Sequence, residues 1–207
     1  MTSILPALLL VILFAIVAAC FAEGMWSNAV RFVNVVTAGL LAMNFYEPLA
    51  RRLDEWDKSY TYLWDFLSLW ALFAVFVLVF RELTDRISHV NVRFLKIADR
   101  IGGVVFSLLV GWVMVCFTLT TLHTAPLGRN FMWEAFSTQT DAKMLFGMAA
   151  PDRQWLGFTK NLSSGAFGRS DTFHEFNAKN EFIPKYASRR ELLEKHIKTA
   201  DSLRVTR

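Results

Sequence analysis

The stretch Asp99–Leu122, DRIGGVVFSLLVGWVMVCFTLTTL, decides the fold. An adjacent acid and base open it, and no further charge follows for about 20 residues. At a helical rise of about 1.5 Å per residue, that is the thickness of a bilayer's hydrocarbon core. Gly103, Ser107 and Gly111 recur at every fourth position, so on a helix they form one narrow stripe of small side chains. Such a stripe lets a second helix approach closely. The stretch predicts a spanning helix over 101–122 with a packing seam along one side.

Three further apolar runs precede it. The 207 residues are 54% hydrophobic and only 19% charged, with a mean hydropathy of +0.34. Soluble domains sit near 45–50% apolar and about 25% charged. The excess is gathered into long runs, which points to spans rather than one large core. The first run gives a span over 4–22. Val17-Ala18-Ala19-Cys20 has the pattern of a lipoprotein cleavage box, but no basic residue precedes the run, and a second run follows at once. That second run gives a span over 28–46, and Gly24, Ser27, Arg31, Asn34, Ala38 and Ala42 share one of its faces. Arginine and asparagine are costly against lipid, so this face should point into a bundle. Ala38 and Ala42 repeat the small-residue spacing of 103–111, and the two stripes are expected to meet. The third span, 60–80, is crowded at its start with Tyr60, Tyr62, Trp64 and Trp70, as interfacial aromatics are. Asp65 lies one turn inside it, either reaching back to water or lining a polar cavity. The four spans make an all-α polytopic membrane domain over 1–122.

The connectors carry the charge. Glu47–Ser59, broken by Pro48, reads as a solvated link. In Arg81–Arg100 the residues Leu83, Ile87, Val90, Phe94, Ile97 and Ile101 recur in steps of four and three. Arg86, Arg93, Lys96 and Arg100 lie away from that face. This predicts an amphipathic helix in the membrane interface, with those four side chains toward lipid headgroups. The tail, 123–207, holds no further span and too few apolar positions for a sizeable core of its own. It is expected to be extramembrane and partly ordered. Pro151-Asp152 can start a short helix, Ser163–Thr172 reads as a linker, and Ser188-Arg189-Arg190-Glu191 fits a capping box opening a helix over 189–203.

Residues 1–122 hold nine basic and nine acidic residues, so the net charge of +4 resides in the tail. That excess fits a solvated surface and requires no nucleic-acid partner. Basic residues near span ends favour the cytoplasm. Their distribution puts the 81–100 link inside and both termini, with the tail, outside. Arg31 and Asp99 enter from the same side of the membrane and are expected to form an ion pair that offsets the cost of the buried arginine.

These residues together resemble the colicin V production protein (CvpA-like) family of bacterial inner-membrane proteins. The resemblance covers about 1–122. It rests on Gly24 before a span rich in small residues, on Ala42 and Tyr46-Glu47-Pro48-Leu49-Ala50, and on Asp99-Arg100-Ile101-Gly102-Gly103 leading into a glycine-spaced fourth span. The family's basic residue directly after the first-loop glycine has no counterpart at Met25, Trp26 or Ser27. The resemblance implies a place in the bacterial inner membrane and a role in toxin production or export, or in the envelope more broadly.

Enzymatic chemistry has little support. His89, His123, His174 and His196 are scattered, and no HExxH, P-loop, nucleophile elbow or metal-ligand spacing occurs, so no cofactor is expected. Cys20 and Cys116 both sit in apolar runs and read as packing residues. Two functions remain. One is a membrane accessory or scaffold that contacts lipid and a protein partner or a second copy of itself. The other is a small oligomeric channel with a polar seam at Arg31, Asn34 and Asp65.

Overall fold

The computed structural model describes residues 4–87, 95–127, 150–164 and 180–205. Six α-helices account for most of them: α1 (Ile4–Phe21), α2 (Met25–Trp56), α3 (Trp64–Ile87), α4 (Lys96–Thr124), α5 (Pro151–Ser164) and α6 (Phe182–Val205). A 3-10 turn, Lys58–Tyr60, lies between α2 and α3. The first four helices are long and apolar enough to cross a membrane. No strand occurs among the described residues.

The α4 helix is the centre of the bundle, in contact with α1, α2, α3, α5 and α6. In its small-residue stripe Gly111 faces α1 and Gly103 faces the turn at 23–25, and neither lies against Ala38 or Ala42 as expected. A β-carbon on Gly111 would lie 2.7 Å from Leu13 Cδ1 and 3.5 Å from Val17 Cγ2. The spacing explains the choice. The stripe continues in steps of four to Val115 and Leu119, which bury with Leu5 and Leu9 of α1. Helices that both carry a four-residue repeat can interlock along its whole length. Ala38 and Ala42 are fully buried in a second cluster, with Leu69 and Phe73 of α3 and Val110 and Phe117 from another face of α4. The Phe73 and Phe117 rings stack there at 4.3 Å.

The α2 helix runs beyond the expected end of its span, through Pro48 to Trp56. Proline removes one internal hydrogen bond. Packing offsets that loss, because Tyr46 and Ala50, either side of the proline and one turn apart, are both buried. The 81–100 link also differs from expectation, since it is not one separate helix. Arg81–Ile87 extends α3, with Arg81–Asp85 and Arg86–Glu82 paired at i,i+4, and Lys96–Arg100 opens α4. Val90, Arg93 and Phe94 lie outside the described residues. Leu83, Ile87, Ile97 and Ile101 are exposed at this end of the bundle.

Both tail helices pack toward the opposite end. Trp155 of α5 is buried against Phe117, with ring centroids 6.0 Å apart, and over Gly39 of α2. Phe182 and Tyr186, one turn apart on α6, join the same cluster. The α6 helix therefore begins at Phe182, two turns before the expected start. Pro184 sits in its first turn, where a missing N–H breaks no helical bond. Ser188 is inside the helix, where its hydroxyl donates to Lys185 O at 2.8 Å, and it caps nothing. The expected linker at 163–172 falls mostly outside the described residues.

Candidate functional site

Polar side chains gather at the two ends of the bundle. At the first end the chain turns from α1 into α2 through Glu23 and Gly24. Asn28, fully buried, spreads its side-chain amide over Cys20 O at 3.0 Å, Gly103 O at 3.2 Å and Glu23 O at 3.3 Å. It thus ties α1, α2 and α4 together, and its own buried amide is satisfied. Arg31 lies one turn further on. Its Nη2 reaches both Glu23 oxygens, at 2.6 and 2.7 Å, and its Nη1 reaches Cys20 Sγ at 3.0 Å and Asn28 Oδ1 at 3.3 Å.

The expected Arg31–Asp99 pair is therefore corrected: the counter-ion of Arg31 is Glu23. Asp99 has another role. Its Oδ1 accepts from the Met25 backbone N–H at 2.8 Å, at the start of α2, where helical N–H groups have no partner of their own. A β-carbon on Gly24 would sit 3.0 Å from both Asp99 carboxylate oxygens, so the bare glycine makes room for the cap. Gly103 is close to the same turn, 3.1 Å from Glu23 O by the same measure. Burial pushes the Glu23 carboxyl up. Hydrogen bonds from Arg31 and Ser27 and the Arg31 charge outweigh it and hold the group below its ordinary 4.5. Asn34 donates to Thr84 Oγ1 at 3.0 Å and so joins α2 to α3. Of the basic residues expected at headgroups, Arg86 pairs with Glu82 at 2.9 Å, Lys96 and Arg100 are exposed in the first turns of α4, and Arg93 lies outside the described residues.

The second end holds two clusters that the sequence pattern does not bring together. Asp65 is buried and bound by α6: Tyr186 Oη donates to its Oδ2 at 2.9 Å, and Arg189 forms an ion pair with the same oxygen. Arg189 Nη2 also donates to Thr61 O at 2.9 Å. Tyr46 lies beyond, its hydroxyl 3.1 Å from Tyr186 Oη, and Lys185 pairs with Glu47 at 2.6 Å. Burial pushes the Tyr186 phenol well up, and the Asp65 charge adds to this, so it stays a proton donor. The second cluster joins α4 to α5. His123 Nε2 and Asp152 Oδ2 are 3.1 Å apart, with side chains 0% and 2% exposed. Thr120 Oγ1, which has Cys116 O at 2.9 Å, also lies 3.3 Å from Asp152 O. Asp65 and Arg189 are 124 positions apart, and no periodicity signals their pairing. The one hint in the sequence is the cost of an acid inside a span.

Arg31 and Asn34 thus sit toward one end and Asp65 at the other, each in contact with neighbours of the same chain. Among the described residues no three His, Cys, Asp or Glu side chains converge as a metal site would require. These arrangements tie helices together. An all-α bundle with four spans, polar ties at its ends and tail helices seated on one of them is a polytopic membrane protein. The colicin V production protein family model matches residues 5–143, past the fourth span and into the tail, and the chain belongs to that family. No curated protein and no solved structure matches it.

Proposed function

We propose that the chain is a non-enzymatic accessory or scaffold protein of the bacterial inner membrane, acting in toxin production or export or in envelope homeostasis. The observation that carries this reading is the seating of the tail. Phe182, Tyr186 and Arg189 hold α6 onto the spans at Asp65, and Trp155 holds α5 between α2 and α4. A tail held this way offers a fixed surface to a protein partner or a second copy. Arg86, Lys96 and Arg100 contact lipid headgroups at the other end. That end is cytoplasmic and the tail end is outside, from the bias of basic residues toward the first end.

The channel alternative needs a polar seam through Arg31, Asn34 and Asp65. Against it stand the ties of those residues to Glu23, Thr84 and Arg189, and the aromatic packing of Phe73, Phe117 and Trp155 between them. Solute flux from the purified protein in liposomes decides between the two. The scaffold reading expects flux no greater than that of empty liposomes. Flux that falls in Arg31→Ala and Asp65→Asn would overturn it.

A further inference from the structure

A crevice of about 180 Å³ opens where α6 meets the ends of α2 and α3. Its walls include Glu47, Arg51, Asp54, Trp64, Lys185 and Arg189. It lies just beyond the apolar run of α2, at a level marked by half-buried Trp64 and exposed Trp56 and Tyr60. Aromatics of this kind mark the headgroup zone of a bilayer.

Most of its charges are already matched. Lys185 is taken by Glu47 at 2.6 Å, and Arg189 by Asp65. Two groups on α2 are left. Asp54 is half-buried, and its Oδ1 accepts no hydrogen bond from a described residue. A carboxylate oxygen left without a donor is costly, and on a half-buried side chain lining the crevice it points to a donor that the described residues do not supply. Arg51, exposed on the same wall, forms no ion pair within 4 Å of a described residue, although its charge also acts on Glu47 one turn away. The two are three positions apart on one helix, so their β-carbons are about 5–6 Å apart. A ligand that answers both carries an N–H cation and an anion a few bonds apart.

We propose that this crevice binds a phosphoethanolamine group, the headgroup of an aminophospholipid, with its primary ammonium donating to the Asp54 carboxylate and its phosphate on Arg51. The ammonium must keep its N–H bonds, because only a donor satisfies the unpartnered carboxylate. A phosphocholine group has the same charges but no N–H, and phosphatidylglycerol has the phosphate without the cation. The three headgroups therefore separate the two halves of the site. The inference requires only that this end of the bundle lie at a membrane surface, and it is independent of the accessory role.

The full-length protein, stripped of lipid in detergent, is given mixed micelles of phosphatidylethanolamine, phosphatidylcholine or phosphatidylglycerol, and bound lipid is counted by native mass spectrometry. Phosphatidylethanolamine is expected to bind about tenfold more tightly than either of the others. Asp54→Asn should remove that preference, and Arg51→Gln should weaken phosphatidylethanolamine and phosphatidylcholine alike. Soluble phosphoethanolamine that competes identifies the free headgroup as sufficient ligand. Its failure to compete, with phosphatidylethanolamine still preferred, identifies the lipid, and either result supports the site. Equal binding of phosphatidylethanolamine and phosphatidylcholine by the unaltered protein overturns the proposal, as does an unchanged preference in Asp54→Asn. If Asp54→Asn does not fold, the comparison of lipids on the unaltered protein decides alone.

Discussion

Replacing Glu23 by Gln removes the carboxylate that half-buried Arg31 pairs with. The pair is about a third exposed on each side, so solvent screens it. A double-mutant cycle on Glu23 and Arg31 should give a coupling of about 0.5–1 kcal/mol in thermal or chemical unfolding. The same cycle on Arg31 and Asp99 should give almost none, because Asp99 is engaged with the Met25 N–H. The sign of the pH effect follows from Glu23. Its folded carboxyl is held below 4.5, so between the folded and unfolded values the unfolded chain binds more protons. Its stabilising contribution is full above the unfolded value and is lost as pH falls through the lower, folded one. Melting temperature should fall on acidification below about pH 4.5, and Glu23→Gln should show a shallower fall. Glu23 is hard to read in the sequence because a short turn between two spans gives no period to follow. Asp99 stands out there, but charge placement alone does not separate a counter-ion from a cap.

Among the helices, the four spans are legible because an apolar run of membrane length leaves few alternatives. Their partners are not. Gly103, Ser107 and Gly111 mark a seam, but small residues at a fixed spacing do not say which helix fills it. Val115 and Leu119, which continue the stripe onto α1, are ordinary apolar residues of a span. Gly39 shows the same limit. A β-carbon there would come within 2.7 Å of the Trp155 ring, and nothing in the 28–46 run signals a tail tryptophan. Gly39→Ala should destabilise by about 1–3 kcal/mol. It should also shift Trp155 fluorescence, which a Trp155→Phe background would identify.

For the molecule as a whole, the two described tail helices, α5 and α6, are part of the bundle. The tail's sparse apolar content predicts no sizeable core, and the packing gives the reason so few suffice. Trp155, Leu156, Phe182 and Tyr186 bury against the spans rather than against one another alone. The contacts at Asp65 and at His123–Asp152 are polar and distant in sequence, so hydropathy does not find them. Hydrogen exchange on the purified full-length chain tests the seating of the tail most directly. Backbone amides in 155–163 and 186–193 should exchange nearly as slowly as those in the interior of α4, since packing protects all three. Exchange in those two segments at the rate of unstructured peptide, with the spans still protected, would contradict it.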